Sequence, residues 1–142
     1  MQMLAVNQTK GFDRAELGPG FARRLPFLDE QDQKILEMTL IGRVSRREAA
    51  MIAGMSRGGL NRRITRALNR LHDPFIVALI EGDGLLLPET YREIGLAHFL
   101  RGWGTRRIAC EMELSKYAVQ KAIIYLKAWR LAKKEQAKTT FK

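Results

Sequence analysis

Sulfur chemistry and metal binding have little to work with in this chain. There is one cysteine, Cys110, and there are two histidines among 142 residues. A single thiol excludes an internal disulfide and fits a reducing compartment. His72 and His98 have no metal-ligand spacing to Cys110 or to each other, so no metal is expected. Cys110 falls at a helix-packing position and is expected to be a buried thiol, not a nucleophile. No apolar run approaches the roughly 20 residues of a membrane span, and no membrane partner is expected. Residues 1–10 lack the basic-then-apolar order of a secretory leader, and the expected compartment is the cytoplasm of a bacterial or phage-infected cell. No glycine loop followed by lysine is present to cradle a phosphate. Glu81 and Asp83 merely flank the Gly82 turn. Catalytic residues and cofactors are therefore expected to be none, and the chain reads as a non-enzyme.

What is abundant is positive charge, and it is unevenly placed. The formal net charge is +10. Residues 1–42 carry net −1, residues 43–73 net +6, residues 74–100 net −3 and residues 101–142 net +8. Two basic blocks separated by an acidic one point to a polyanionic partner.

The basic blocks coincide with an internal repeat. Shifting the chain by 59 positions lays Ala50 on Ala109, Met55 on Leu114, Ser56 on Ser115, Leu60 on Val119 and Ile64 on Ile123. A repeat of this length fixes architecture before any other reading. Around it the chain is periodic with turn signals. Asp29 can cap a helix whose apolar stripe is Ile35, Leu36, Met38, Thr39 and Leu40, ending near Gly42. Ser45 with Glu48 forms a capping box. In the helix that follows, Ala49, Ala50, Ile52 and Ala53 allow close approach to neighbours. Gly54 supplies the positive φ of a tight turn. Ser56 caps a helix over 57–71 that buries Leu60, Ile64, Leu68 and Leu71. Pro74 opens a short apolar helix, Pro88 another, and Ser115 caps a long one over 116–133. Leu85–Leu87 is too short for a strand and is expected to pack between the repeats. Each repeat reads as a helix-turn-helix, a device for laying one helix against nucleic acid. The expected fold is all-α, with two tandem three-helix units. The boundaries are a flexible arm at 1–24, a first module at 25–73, a connector at 74–87, a second module at 88–132 and a basic tail at 133–142.

In such a motif the start of the second helix enters the major groove. Base readout is therefore expected from Arg57, Gly58, Asn61 and Arg62 in the first module. The corresponding set in the second is Lys116, Tyr117, Gln120 and Lys121. Arg57 and Arg62 can fork onto guanine, and Asn61 can pair with adenine. Gly58 and Gly59 either let the backbone approach DNA or are neutral at an exposed helix start. Phosphate contacts are expected from Arg43, Arg46, Arg47, Arg63, Arg66, Arg70, Arg106 and Arg107. The last helix carries a second apolar stripe, Ala118, Ala122, Tyr125 and Trp129. A helix apolar nearly all round is buried or meets a partner, so a homodimer through this helix is a further expectation. Trp103 and Trp129 stand alone, which argues against base stacking on RNA.

Residues 25–72 resemble the C-terminal, promoter-element-reading domain of bacterial sigma factors. Glu48, Ala50, Gly54, Ser56, Leu60, Ile64, Arg66-Ala67 and Leu71 stand at that family's pattern, and Leu25-Pro26 with Asp32 to Leu36 resembles its preceding helix. The second repeat has Glu113 at the turn glycine's place, which requires either another turn geometry or compensating packing. The chain lacks the aromatic cluster such factors use to melt promoters and does not resemble a complete sigma factor. The resemblance implies sequence-specific binding of double-stranded DNA, and the expected role is a transcriptional regulator of phage or mobile-element type. The rival expectations are a recombination, replication or packaging factor of small-terminase kind, and an adaptor that grips RNA polymerase.

Overall fold

The computed structural model describes Gly18 and residues 20–140, with side chains as far as residue 136. Most of the arm expected at 1–24 and the last two residues of the expected tail lie outside the described residues.

Among the described residues the chain is all-α, without a strand. It divides between Leu71 and His72 into two units. The first holds α1 (Phe21–Arg24), α2 (Glu30–Leu36, winding on as a π turn over Glu37–Ile41), α3 (Arg46–Ala53) and α4 (Arg57–Leu71). The second holds α5 (Pro74–Glu81), α6 (Glu89–Gly95, with a π turn over Leu96–Leu100), α7 (Thr105–Met112) and α8 (Lys116–Thr140). Two expected boundaries move. Residues 21–24 belong to the first unit, because Phe21 is buried and the buried Arg24 donates its Nε–H to the Leu71 carbonyl at the end of α4. Residues 74–87 are no connector, since Phe75, Ile76, Leu79 and Ile80 of α5 are core residues of the second unit.

The repeat is deeper than the sequence pattern suggests. Eight backbone hydrogen bonds of the first unit recur 59 residues later, from Leu28 N–H to Leu25 O (Leu87 to Gly84) through to Leu60 N–H to Ser56 O (Val119 to Ser115). Both π turns are included, closed by Gly42 N–H to Glu37 O and by Arg101 N–H to Leu96 O. The caps recur as well. Ser56 Oγ accepts from Gly59 N–H and Ser115 Oγ from Ala118 N–H, each at 3.0 Å.

Two left-handed positions also recur between the units, and each unit gives one of them to glycine. Arg43 (φ 59°) and Gly54 (φ 70°) in the first unit correspond to Gly102 (φ 79°) and Glu113 (φ 55°) in the second. The turn after α7 therefore keeps the geometry of the turn after α3 and bears the strain in Glu113, where Cβ crowds the backbone. Its carboxylate also sits at the negative end of α7. Exchanging the two turn residues separately should have opposite effects. Gly54→Ala is expected to cost about 1–2 kcal/mol, the penalty of the left-handed region for an L side chain. Glu113→Gly is expected to stabilise by about 1 kcal/mol. Urea titrations of the two variants read the sign directly.

The cores follow the periodicity. α4 buries Leu60, Ile64, Ala67, Leu68 and Leu71 against α2 and α3. In the second unit Ile94, Ala97, Ile108, Val119, Ala122 and Ile123 form one cluster. Four expectations fail on packing grounds. Ile52 is 68% exposed because α3 turns Arg46, Ala49 and Ala50 inward. Cys110 is exposed, since α7 buries only Ile108. Leu86 is 88% exposed and Leu85 56%, so these two side chains are not packed. The last helix, expected to end at 133, continues to Thr140.

Candidate nucleic-acid interface

The start of α4 is set by local chemistry. The left-handed Gly54 ends α3, Ser56 caps α4, and the helix then buries one side. The opposite side is exposed at Arg57, Gly58, Asn61, Arg62, Thr65, Arg66 and Asn69. Asn61, Arg62, Thr65, Arg66 and Asn69 line an open groove of about 450 Å³. A methyl group built on Gly58 would meet only the Arg62 guanidinium, at 3.5 Å, so packing within the protein does not demand glycine there.

Three of the expected contacts are redirected. Arg46, expected on phosphate, is buried and donates from Nη1 to Asn61 Oδ1 at 2.6 Å. Burial, and then the charge of Arg57, push its pKa below the ordinary arginine range. Asn61, expected to pair with adenine through both ends of its amide, has its carbonyl end turned to Arg46. Arg63, also expected on phosphate, donates from Nε to Asp32 and lies 3.9 Å from Asp29 through Nη2. Its charge is met within the fold, where it ties α4 to the start of α2. Asp29 consequently serves α2 with its backbone carbonyl, which accepts from Gln33, and not with a side-chain cap.

The other expected phosphate contacts of the first unit differ in exposure. Arg43 and Arg47 are exposed ahead of and on α3, while Arg70 is half-buried near the end of α4. Exposed Met51 (74%) and Ile52 follow Arg47 on α3, and of the two only Ile52 was expected to face a neighbouring helix.

The second unit offers an equivalent surface. Lys116, Tyr117, Gln120 and Lys121 are exposed at the start of α8, with Arg106 and Arg107 exposed on α7. Arg107 lies 4.0 Å over the Trp103 ring and Arg101 lies 5.4 Å from it. Trp103 is half-buried, packs against the core cluster and is faced by guanidinium groups, which is a structural role. Along α8, Tyr117, Ile124 and Leu131 are exposed at 71%, 68% and 64% with seven-residue spacing, so one line of the helix is apolar and uncovered. The second stripe named from sequence divides. Ala122 is buried, Tyr125 stacks edge-on against Tyr91, and Trp129 packs on Phe75.

Among the described residues no three His, Cys, Asp or Glu side chains gather into a metal site. No described helix is long and apolar enough to cross a membrane. The Asp32–Arg63 and Arg46–Asn61 pairs escaped sequence reasoning, because nothing local in a basic helix tells which arginine meets an acid or amide on another helix. Comparison with protein-family models, with curated proteins and with solved structures finds no match for this chain.

Proposed function

We propose that the chain is a sequence-specific double-stranded DNA-binding protein, a transcriptional regulator of phage or mobile-element type. The observation that carries this reading is the outward face of α4. Arg57, Arg62 and Arg66 are exposed there beside a groove without a carboxylate, at the start of a helix held by a left-handed turn and a serine cap. A straight basic helix projecting from a packed base suits the major groove, which is wide enough to admit it. The same construction at α7 and α8 supports a second contact on the duplex, and the resemblance of residues 25–72 to the sigma-factor module agrees with it.

Roles divide along the face. Arg57 and Arg62 stand at the helix start, where base edges are reached. Arg43, Arg47 and Arg66 are arranged for phosphates, which set register without reading sequence. Arg66→Ala is accordingly expected to weaken binding to specific and random duplex alike and to reduce the salt slope by roughly one unit. Fluorescence anisotropy on both duplexes over a salt series measures this. Equal affinity of wild type and variant at every salt concentration would remove Arg66 from the interface.

The uncovered apolar line Tyr117, Ile124 and Leu131 favours a protein contact for α8, either a second copy of the chain or RNA polymerase. Sedimentation at several concentrations distinguishes a monomer or dimer from the rings expected of a packaging subunit. A pull-down with polymerase lacking DNA tests the adaptor reading.

A further inference from the structure

We infer that Asn61 reads an acceptor edge in the major groove, guanine O6/N7 or thymine O4, and selects against adenine, because Arg46 holds its amide with the carbonyl turned inward. The inference rests on duplex DNA being the ligand of α4. Its chemistry begins with the donor inventory. A guanidinium has only N–H groups to offer, so the amide atom that faces Arg46 at 2.6 Å is the carbonyl oxygen. The hydrogen bond is short and charge-assisted, and Arg46 is only 9% exposed. Turning the amide over would set an N–H₂ group against a buried cation. The end of Asn61 left to the solvent and to the groove is therefore Nδ2, which only donates.

The paired contact with adenine needs a donor to N7 and an acceptor for the N6 amino group at the same edge. Asn61 has committed its acceptor. Adenine offers N7 to Nδ2 but sets its N6 amino group beside it with no acceptor to meet it, whereas guanine presents two acceptors and thymine one. A second observation points the same way. Arg57 stands one turn before Asn61 on α4 and Arg46 is hydrogen-bonded to it, so two positive charges lie near Asn61. Their field attracts carbonyl oxygens and N7 and repels the amino groups of adenine and cytosine. No carboxylate lines the neighbouring groove to receive an amino proton.

The test is selection of sites by the full chain from a randomised duplex, followed by anisotropy on the selected site. Guanine or thymine is expected at one invariant position. Where guanine is enriched, 7-deazaguanine removes N7 and keeps O6, so weakened binding assigns the contact to N7 and unchanged binding assigns it to O6, while an enriched thymine assigns it to O4. Asn61→Asp keeps an acceptor towards Arg46 and removes the donor. The ratio of selected to random affinity should fall about tenfold, within the range for one good base contact. Arg46→Met keeps the aliphatic stem and frees the amide, and the preference should move towards adenine. Circular dichroism checks that this variant folds, and Asn61→Asp decides the matter if it does not. Adenine or cytosine at the position in wild type, or an unchanged ratio in Asn61→Asp, overturns the inference and leaves DNA binding standing. A chain that binds no duplex in dilute buffer overturns both.

Discussion

Raising monovalent salt from about 50 to about 200 mM should weaken binding to any duplex by about a thousandfold. The figure follows from which arginines the fold leaves for phosphates. Eight were expected from sequence, and the structure turns Arg46 and Arg63 inward on Asn61 and on Asp32. The other six, Arg43, Arg47, Arg66, Arg70, Arg106 and Arg107, keep their expected role, and six phosphate contacts give a slope of log K against log salt of about −5, against about −7 for eight. The measurement is a set of binding isotherms on one random duplex over that range. A slope near −7 would mean that Arg46 and Arg63 abandon their partners on binding. A slope near zero would remove the electrostatic basis of the proposed function. Arg63→Ala should leave the slope unchanged, because its charge is met by Asp29 and Asp32 in the free protein.

Ile108→Ala is expected to destabilise the second unit by about 2–5 kcal/mol, the usual cost of truncating a buried isoleucine. Ile108 has no exposed surface and is the only residue of α7 that is buried. It packs with Ile94, Ala97, Val119, Ala122 and Ile123, so its loss leaves a cavity and removes the anchor that holds α7 on α8. At the equivalent place in the first unit stands Ala49, equally buried, so alanine itself is compatible with the turn. What changes is the volume that the surrounding side chains were selected to fill. The two tryptophans, Trp103 and Trp129, both belong to the second unit, and their fluorescence therefore reports its unfolding alone. A urea midpoint for this signal within experimental error of wild type would show that α7 is not held by Ile108. Binding through α4, measured on a short duplex at low salt, should survive the substitution better than binding through both units.

Much of the architecture was legible because it is encoded over short distances. Ser45, Ser56 and Ser115 cap helices through hydrogen bonds that span three residues. Leu60, Ile64, Leu68 and Leu71 recur at helical spacing and are buried. The 59-residue shift identified the repeat from a few small and apolar residues, although not its reach back to Leu25 and Gly84 or its π turns. Those escaped because no side chain announces a π turn, and because Arg43 and Glu113 adopt backbone angles that glycine would have signalled. The burial errors on α3 and α7 have one origin. Ile52 and Cys110 look like core residues by type, but α3 and α7 are two-turn helices that meet their neighbours along a narrow edge, so the far side of each is left in water.

Of the candidate interface, the chain alone determined that basic side chains gather at two helix starts, since capping, turn chemistry and amphipathic spacing all act within a few residues of one another. Which of those cations stay available was decided only by packing. Asn61 is 15 residues from Arg46, and Asp32 is 31 residues from Arg63. Each pair exists because two helices cross at one angle and bring the side chains within reach, and charge pairing over such separations leaves no trace in local sequence.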